Sequence, residues 1–385
     1  MWDVIVVGAG LGGITAAQRL SQEGYRVLVL DKSRGLGGRM ATRRVTWPQG
    51  SSPTVAVDHG CRFIQPPTRL GESWLTNWVD QGILQPWTPA EFTLDVNGQY
   101  RPKLSLDATP SPYPESYYGA PQGMSALAKA MAAGLTVQRQ SRVTQILPTA
   151  QGWRVDWAND GASSGPESAP PLAARALVLA LPATQIVPIL APAVAQKADL
   201  APVLAAAEAV TFDPVITVMA GYAPNTPTDL SGADLDGFDR NGAGLNGATA
   251  AGWMVWGEGH PTLRWLALDS SKRPQPPYPV VVAHSTATFA ETYFEAENLA
   301  HPGQGMLEQA AQSLGNWLAQ PEWMQVHRWR YGFVKQPHPA EVLYTEAVPT
   351  LAGCGDWCAG SGLEAAIISG EAAAHRLIQG LAARD

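Results

Sequence analysis

The glycines at positions 8, 10 and 13 stand between two apolar runs, and their spacing is suited to holding a dinucleotide. Gly8 allows a sharp turn from strand to helix, Gly10 lets the backbone approach a pyrophosphate, and Gly13 lets the helix pack on the strand. Asp31 closes the second apolar run, where its carboxylate can accept hydrogen bonds from ribose hydroxyls. The sequence therefore predicts a strand, helix and strand that together bind a dinucleotide.

The helix that follows the first glycines would supply the phosphate site. Its first backbone N–H groups have no partners within the helix, and the helix dipole favours negative charge at that end. The residues expected to contact the cofactor are Gly8, Gly10, Leu11, Gly12 and Gly13, with Asp31 and Lys32 at the end of the second strand.

A second glycine-rich segment, residues 35–42, begins four residues after Asp31. Its adjacent glycines, Gly37 and Gly38, let the backbone lie close to a large ligand, and Arg39 can hold phosphate oxygens through two parallel hydrogen bonds. A solvated basic loop is the alternative, because charged side chains usually lie at the surface. In that case the arginines of this region would face water, namely Arg34, Arg39, Arg43 and Arg44.

A third motif lies near the C-terminus, where the apolar run 351–354 leads to Gly355 and Asp356 and then to a helix expected at 363–379. A carboxylate beside the amides of a helix start suits a polyhydroxyl chain and a developing anion. An ordinary strand-to-helix connection is the alternative, because such loops often contain glycine.

Further elements must position these motifs. The apolar run 176–182 is typical of a strand buried on both faces, and residues 32–54 are expected to form a loop. Other strands are expected at 92–96, 100–104, 135–138, 143–147, 153–157, 263–268, 280–284 and 327–331, and other helices at 14–22, 74–81, 124–131 and 306–319.

Length and composition exclude some function classes. The chain has 385 residues, more than one hydrophobic core usually supports, so two domains are expected. Its net charge of -7 argues against a nucleic acid partner, because phosphate binding needs surplus lysine and arginine. Its 3 cysteines do not suggest a disulfide scaffold, and a reducing, cytoplasmic location is expected.

The sequence favours neither a membrane span nor a metal site. Its most apolar later window, 172–194, is interrupted by arginine and proline, and the first strand begins too early for a removable targeting segment before it. Asp234 and Asp236 lie in a long glycine-rich stretch, 222–251, but lack the glycine and glutamate spacing of a calcium loop. No transmembrane segment and no metal are therefore expected.

Several segments resemble, in the same order, those of renalase-like proteins in the amine oxidase and renalase superfamily of FAD-dependent oxidoreductases. These segments are residues 31–40, 58–64, 121–125, 142–146, 269–273, 284–286 and 355–358. The resemblance implies an α/β fold in which a Rossmann-type FAD-binding domain is interleaved with an α+β substrate domain containing a mixed sheet. The FAD-binding domain would comprise 1–65, 119–182 and 340–385, and the substrate domain 66–118 and 183–339.

The resemblance also implies non-covalently bound FAD and assigns residues to it. Asp356 would bind the ribityl hydroxyls, and the Val143 backbone would hold the adenine. Backbone amides near Glu364, Ala365 and Ala366 would face the flavin pyrimidine oxygen. The expected contacts further include Gly37, Gly38, Arg39, Met40, Arg62, Phe63 and Gly355.

Two departures from the renalase pattern bear on the substrate. Arg62 places a cation where renalases usually have a neutral amide. A guanidinium beside the flavin would favour the anionic reduced ring and raise its potential. The stretch 222–251 is also longer than expected and would cap or reshape the substrate cavity.

The candidate catalytic side chains are His284, Arg62 and Trp357. His284 would donate a hydrogen bond to a carboxamide or hold a proton near neutral pH, although a packed structural histidine fits its position equally well. Lys272 and Arg273 are expected in a solvated turn rather than against a phosphate.

The implied activity is hydride transfer from a dihydronicotinamide donor, such as a misreduced NAD(P)H isomer, to flavin N5. Oxygen would be the acceptor, and alignment over the ring would matter more than a strong base. Three alternatives stay open. They are an NAD(P)H-dependent reductase that passes electrons to a quinone or protein, an amine oxidase-like or desaturase-like enzyme, and a non-catalytic flavin-fold binding protein.

Overall fold

The computed structural model describes residues 1–47, 54–103, 117–162, 165, 167–228, 230, 252–348 and 350–383. The long stretch 222–251 is therefore described only as far as residue 228 and at residue 230. The predicted role of that stretch, together with Asp234 and Asp236, lies outside the described residues.

The described residues form strands and helices that alternate along much of the chain. The strands are β1 (Trp2–Val7), β2 (Val27–Leu30), β3 (Thr42–Thr46), β4 (Thr54–Asp58), β5 (Gln85–Trp87), β6 (Ala90–Leu94), β7 (Tyr100–Pro102), β8 (Tyr117–Gly119), β9 (Val137–Gln138), β10 (Ser141–Thr149), β11 (Gly152–Asn159), β12 (Glu167–Ser168), β13 (Leu172–Leu179), β14 (Thr211–Gly221), β15 (Trp253–Gly257), β16 (Leu263–Leu268), β17 (Val280–Ser285), β18 (Trp323–Gln336), β19 (Leu343–Tyr344) and β20 (Leu351–Gly353). The helices are α1 (Leu11–Gln22), α2 (Glu72–Asp80), α3 (Ser125–Met131), α4 (Ala183–Val194), α5 (Ala201–Glu208), α6 (Ala287–Thr292), α7 (Ala300–Leu314) and α8 (Gly362–Ala382).

The first large sheet has the order β10-β11-β13-β1-β2-β9, with β20 beside β13. The strands β13, β1, β2 and β9 run parallel, whereas β10, β11 and β13 are joined as antiparallel neighbours. This is the Rossmann-like arrangement predicted from the first motif. Ligands of such sheets bind beyond the carboxyl ends of the parallel strands.

Helices cover both faces of this sheet because the residues of its central strands alternate between two cores. Val4 and Val6 pack with α1, α3 and α8, whereas Ile5 and Val7 pack with α4 and α5. The central strands are buried on both faces, as predicted for the apolar run that ends in β13.

The second large sheet has the order β18-β14-β17-β16-β15-β6-β7. It is mixed, because β15 pairs with β6 in parallel while its other neighbours are antiparallel. The helix α7 covers one face through Met306, Leu307 and Ala310, and the hairpin of β3 and β4 packs against the other. The fold class is thus the α/β arrangement with a second, mixed-sheet domain that the sequence predicts.

One predicted loop is a strand in part. Residues 42–46 form β3, which pairs with β4 although residues 32–54 were expected to be loop. Only Val45 of β3 is buried, and its two arginines are exposed, so the apolar alternation that signals a strand is absent.

Candidate functional site

A cavity of about 1650 Å³ extends from the carboxyl ends of the parallel strands to the second sheet. It is lined by the turn between β1 and α1, the segment 31–44, the loop 59–68 and the first turn of α8, and at its other end by β18 and parts of β16 and β17. The volume exceeds the several hundred Å³ of a typical small-molecule pocket, which leaves room for a dinucleotide and a second ligand.

In the first glycine turn, Gly8 and Gly13 make close contacts with the backbone, whereas Gly10 has open space beside it. A Cβ on Gly13 would collide with the Gly8 carbonyl and would lie 2.8 Å from the Ala180 Cβ. Gly8 has φ +108° and packs against the Ala180 carbonyl. A Cβ on Gly10 would meet no protein atom within 4 Å. The open space at Gly10, beside the unpaired amides that begin α1, fits a pyrophosphate.

The Asp31 carboxylate is held by the backbone beside this turn. It accepts hydrogen bonds from the Ala9 N–H at 2.6 Å and the Ser33 N–H at 2.7 Å. Each carboxylate oxygen has a further lone pair, so ribose hydroxyls can still donate to Asp31.

The next glycine segment crosses the cavity beside this turn. Gly37 and Gly38 have φ +95° and +54°, and the Gly37 N–H donates to the Ala9 carbonyl. Met40 is buried below them. The cavity lining includes nearly all the residues predicted to bind the cofactor, namely Gly8, Gly10, Leu11, Gly12, Asp31, Lys32, Gly37, Gly38, Arg39, Met40, Arg62, Phe63, Val143, Gly355, Asp356, Glu364 and Ala366.

Arg39 and Asp356 form an ion pair across the cavity. Arg39 Nη2 lies 2.5 Å from Asp356 Oδ1, and Arg39 Nη1 donates to the Tyr331 carbonyl at 3.4 Å. The exposed fraction of the side chain is 28% for Arg39 and 17% for Asp356. A bound FAD would contact this pair from the cavity side, where the guanidinium and the carboxylate already fix each other's position.

The start of α8 differs in part from the prediction. Glu364 Oε1 accepts hydrogen bonds from the backbone N–H groups of Arg69 and Leu70, and these lower the pKa of Glu364. The side chain therefore anchors the loop 68–70, whereas the prediction concerned the backbone amides near Glu364. Glu364 and Ala366 line the cavity, but Ala365 and Gly13 are absent from its described lining.

The inner end of the cavity, called the chamber below, is lined by Arg62, Phe63, Arg264, His284 and Phe333, and two further rings near Arg62, Trp256 and Trp265, lie outside the described lining. The Arg62 Cζ lies 5.2 Å from the centroid of Phe63, 4.9 Å from Trp256 and 5.3 Å from Trp265. Its Nη1 is buried without a hydrogen-bond partner among the described residues. Burial and the nearby Arg264 lower the pKa of Arg62 to about 10, so it stays charged at neutral pH.

His284 lies beside this chamber and is 2% exposed. Its ring is 5.4 Å from Trp265 and 6.2 Å from Phe333. Burial, followed by the charges of Arg62 and Arg264, holds the pKa of His284 well below its ordinary value. Neither ring nitrogen has a hydrogen-bond partner within the described part of the chain. The neutral ring can therefore donate one hydrogen bond and accept another.

A second group of rings lies between the chamber and the cavity mouth. His59 stacks on Trp329 at 5.4 Å and meets His327 edge-on at 5.0 Å. Burial, together with the charge of Arg43, lowers the pKa of both histidines to about 4. Both rings are therefore neutral at physiological pH.

A buried ionic cluster lies behind Arg62, and it corrects the prediction for Lys272 and Arg273. Lys272 Nζ binds Asp58 at 3.1 Å and Asp269 at 2.5 Å, and Arg273 binds the same two carboxylates. Lys272 is fully buried, and neither cation faces a solvated turn or lines the cavity. The opposite charges of Asp58 and Asp269, distant in sequence, explain the burial. Lys272 also donates to the Arg62 carbonyl at 2.8 Å.

Trp357 and Cys358 are two other residues considered from the sequence. Trp357 is fully buried, and its indole N–H donates to the Leu181 carbonyl at 2.9 Å, which uses the only polar atom of that side chain. Trp357 also lines the cavity, so its role as a catalytic side chain stays a prediction that would depend on its ring rather than on a polar atom. Cys358 lies outside the described cavity lining, and burial raises the pKa of its thiol to about 12.

Sequence reasoning missed several residues that line the inner cavity, above all His59, Arg264 and the inward face of β18. His327, Trp329, Tyr331 and Phe333 stand at every second position of that strand. Period-two spacing places them on one face. The alternation of these side chains along the sequence was the signal from which they could have been predicted.

The charge of the lining is uneven. Its cations are Lys32, Arg34, Arg39, Arg43, Arg44, Arg62, Lys129, Arg142, Arg264, Arg328 and Arg330. Its described carboxylates are Asp31, Asp356 and Glu364, all at the dinucleotide end. No described group of three or more histidine, cysteine or acidic side chains is suited to a metal, and no described helix has the length and apolar character of a membrane span.

Two family models match successive stretches of the chain. Residues 6–76 match the model of the NAD(P)-binding Rossmann-like domain. Residues 103–378 match the model of the flavin containing amine oxidoreductases.

Matches to individual proteins are short in sequence and complete in fold. The chain is 30% identical over 119 residues to nicotine dehydrogenase of Pseudomonas putida, which is 28% of this chain and 24% of that protein. It is 44% identical over 57 residues to a zeta-carotene-forming phytoene desaturase of Myxococcus xanthus, 14% of this chain and 11% of the desaturase. The chain thus spans less than a quarter of the length of these curated relatives.

Among solved structures, cyclohexylamine oxidase from Brevibacterium oxydans has a TM-score of 0.65 at 14% identity and covers 99% of both chains. Putrescine oxidase bound to putrescine has a TM-score of 0.62 at 14% identity, over 98% of this chain and 99% of that one. At this identity the likeness shows a shared fold.

Proposed function

We propose that this chain, which belongs to the family of flavin containing amine oxidoreductases, is an FAD-dependent oxidase of dihydronicotinamide-type donors. When bound, the flavin would accept a hydride at N5 from the donor carbon and pass two electrons to oxygen, which with two protons becomes hydrogen peroxide. The chain's own residues hold the cofactor, orient the donor and exclude water.

The residues that would hold FAD surround the outer part of the cavity. The amides that begin α1 would bind the pyrophosphate, with Gly10 allowing its close approach. Asp31 would accept hydrogen bonds from the adenosine ribose, and Asp356, fixed by Arg39, would meet the ribityl hydroxyls. These contacts are non-covalent, and Cys358 lies outside the described lining.

One observation carries the choice of donor: the described inner lining consists of arginines, neutral histidines and flat aromatic rings. Oxidation of a dihydropyridine removes a hydride from carbon without a separate proton abstraction, so alignment against such rings is the main requirement. His284 is neutral and has free donor and acceptor positions, which suits a carboxamide.

The same lining weighs against a cationic amine as substrate. An ammonium group entering the chamber would approach Arg62 and Arg264, and like charges in a partly dry site repel strongly. Amine oxidation, which the family name suggests, remains the second candidate because of the family match alone.

Anaerobic titration of the yellow holoprotein tests the proposal. Misreduced dihydronicotinamide isomers, NADH, NADPH and cyclohexylamine would each be mixed with the enzyme, and the loss of flavin absorbance would be followed. We expect rapid bleaching by a dihydronicotinamide isomer and slow or no bleaching by the amine. Bleaching by the amine alone would overturn the proposal, and bleaching by NADPH alone would favour a reductase.

A further inference from the structure

Arg62 is a largely buried cation whose Nη1 has no hydrogen-bond partner among the described residues. No described carboxylate pairs with it, and the nearby Arg264 is another cation. Buried guanidinium groups are normally paired, because an isolated charge inside a protein loses its hydration without compensation. Arg19, an exposed arginine of α1, has such a partner in Glu23.

His284 shares two aromatic rings with Arg62, and Arg264 shares one of them, Phe333. Arg62 and His284 both lie against Trp265, at 5.3 Å and 5.4 Å, and both lie against Phe333, at 5.5 Å and 6.2 Å. The Arg264 Cζ lies 4.0 Å from the centroid of Phe333. Arg264 faces Asp213 only at 4.0 Å, the outer limit of an ion pair.

We propose that the inner chamber is a receptor for an anionic group of the substrate, a carboxylate or a phosphate, held by Arg62 and Arg264 with a hydrogen bond from His284. This inference rests on the proposed function in taking the hydride donor as the ligand, but it assigns His284 to the donor's anionic group rather than to its carboxamide. The guanidinium of Arg62 can present two N–H groups to two oxygens of one anion. The bound anion would supply the missing countercharge, and the aromatic rings would flank the part of the ligand that carries it.

Contacts of its backbone and of its side chain hold Arg62 in position. The carbonyl of Arg62 accepts a hydrogen bond from Lys272, whose other contacts are two buried carboxylates. The Arg62 backbone is therefore anchored to the ionic cluster, while its side chain is enclosed by aromatic rings. A preorganised receptor of this kind loses little conformational entropy when the anion binds.

Calorimetric binding to the holoprotein tests the receptor with a matched pair of probes. Nicotinate and nicotinamide share one ring and differ in charge. Because charged hydrogen bonds contribute about 1.5–3 kcal/mol, nicotinate should bind roughly 10-fold to 100-fold more tightly. Phenyl phosphate distinguishes the two anion classes, since tighter binding than nicotinate assigns the receptor to phosphate and weaker binding assigns it to carboxylate. Benzylammonium should bind most weakly.

Variants separate the receptor from general effects of charge. Arg62→Gln should abolish the preference for nicotinate over nicotinamide, and Arg62→Lys should keep part of it. Arg19→Gln removes the same charge from an exposed position of α1 and should keep it all. The flavin spectrum and the melting temperature show whether each variant is folded, and if Arg62→Gln fails to fold, Arg62→Lys and Arg264→Gln carry the comparison.

The receptor and the proposed function fail in different ways. Equal binding of nicotinate and nicotinamide to the wild-type protein, or an unchanged preference in Arg62→Gln, would overturn the receptor even if a dihydronicotinamide bleaches the flavin. A strong preference for nicotinate without any such bleaching would instead overturn the donor assignment and keep the receptor.

Discussion

At the scale of single residues, Arg62 and Lys272 are two buried cations with opposite surroundings. Lys272 is fully buried and lies between Asp58 and Asp269, with Arg273 completing a neutral cluster. Among the residues that the structure describes, the Arg62 guanidinium lies against aromatic faces and near a second cation, and no carboxylate pairs with it. The first arrangement stabilises the fold, whereas the second leaves a charge available for a ligand.

The cluster predicts a large loss of stability for Lys272→Met. The substitution leaves Asp58 and Asp269 sharing one cation, and breaking a buried pair costs about 3–5 kcal/mol. Denaturant unfolding would measure the change. The control is Arg376→Gln, which removes an exposed pair with Glu346 and should change the free energy of unfolding by less than about 1 kcal/mol. Similar effects of the two substitutions would contradict this interpretation of the cluster.

The buried histidines predict a pH dependence of stability. His59 and His327 have pKa values of about 4 in the folded protein, below the ordinary 6.5. Between pH 6.5 and 4 the unfolded chain therefore binds protons that the folded chain does not, so stability falls as the pH falls through this window. The denaturation midpoint should decrease from pH 6.5 to 4.5.

His59→Gln should flatten that decrease. His301→Gln, on the exposed side of α7, should leave it unchanged. Asp58, whose pKa is lowered to about 2 by Lys272 and Arg273, loses its charge only at lower pH and does not disturb the measurement. A midpoint independent of pH in this window would show that the rings are accessible to protons.

At the scale of elements, the turn between β1 and α1 separates two roles of glycine. Gly13→Ala should destabilise the protein and abolish flavin binding, because its Cβ collides with the Gly8 carbonyl. Gly10→Ala should leave the stability of the apoprotein within about 1 kcal/mol, since its backbone is extended with φ -74° and its Cβ enters open space. Its flavin affinity should fall, because the methyl group occupies the phosphate site.

Thermal unfolding of the apoprotein and titration with FAD would measure both effects. Equal flavin affinity in Gly10→Ala and the wild-type protein would mean that the pyrophosphate lies elsewhere.

The elements that could be predicted from sequence are those with a local signal. The glycines of the first turn, the apolar strands and the helix before Gln22 all have one, and the structure confirms them. β3 could not be predicted, because Arg43 and Arg44 hide its alternation. The cluster of Lys272 and Asp58 could not be predicted either, because it joins residues more than 200 positions apart and no local pattern encodes such a pairing.

The inner site was predictable only in part. His284 and Arg62 were recognised from a strand end and from a departure within a motif, and the structure brings both against Trp265. Arg264 was missed, because an arginine in an amphipathic strand usually faces water. Its position over Phe333 depends on β16 and on β18, which is separated from β16 by β14 and β17 in the same sheet.

At the scale of the whole molecule, the cavity is lined by residues of both sheets. A cofactor bound in it should therefore stabilise both. If FAD is non-covalent, acid treatment should release all of it. The melting temperature of the apoprotein should then rise with added FAD, by an amount equivalent to about 2.7 kcal/mol at 100 times the dissociation constant. Flavin that stays with the acid-precipitated protein would contradict the non-covalent assignment.

An anion that approaches from solution meets two fields of opposite sign. At long range the molecule presents its net charge of -7, whereas the rim of the cavity presents Arg43, Arg44 and Arg330. Salt screens interactions beyond about 8 Å at physiological ionic strength. Added salt therefore weakens the long-range repulsion of the anion more than its short-range attraction to the guanidinium groups inside the cavity. Capture of an anionic donor should therefore become faster with the first additions of salt, the reverse of ordinary electrostatic steering.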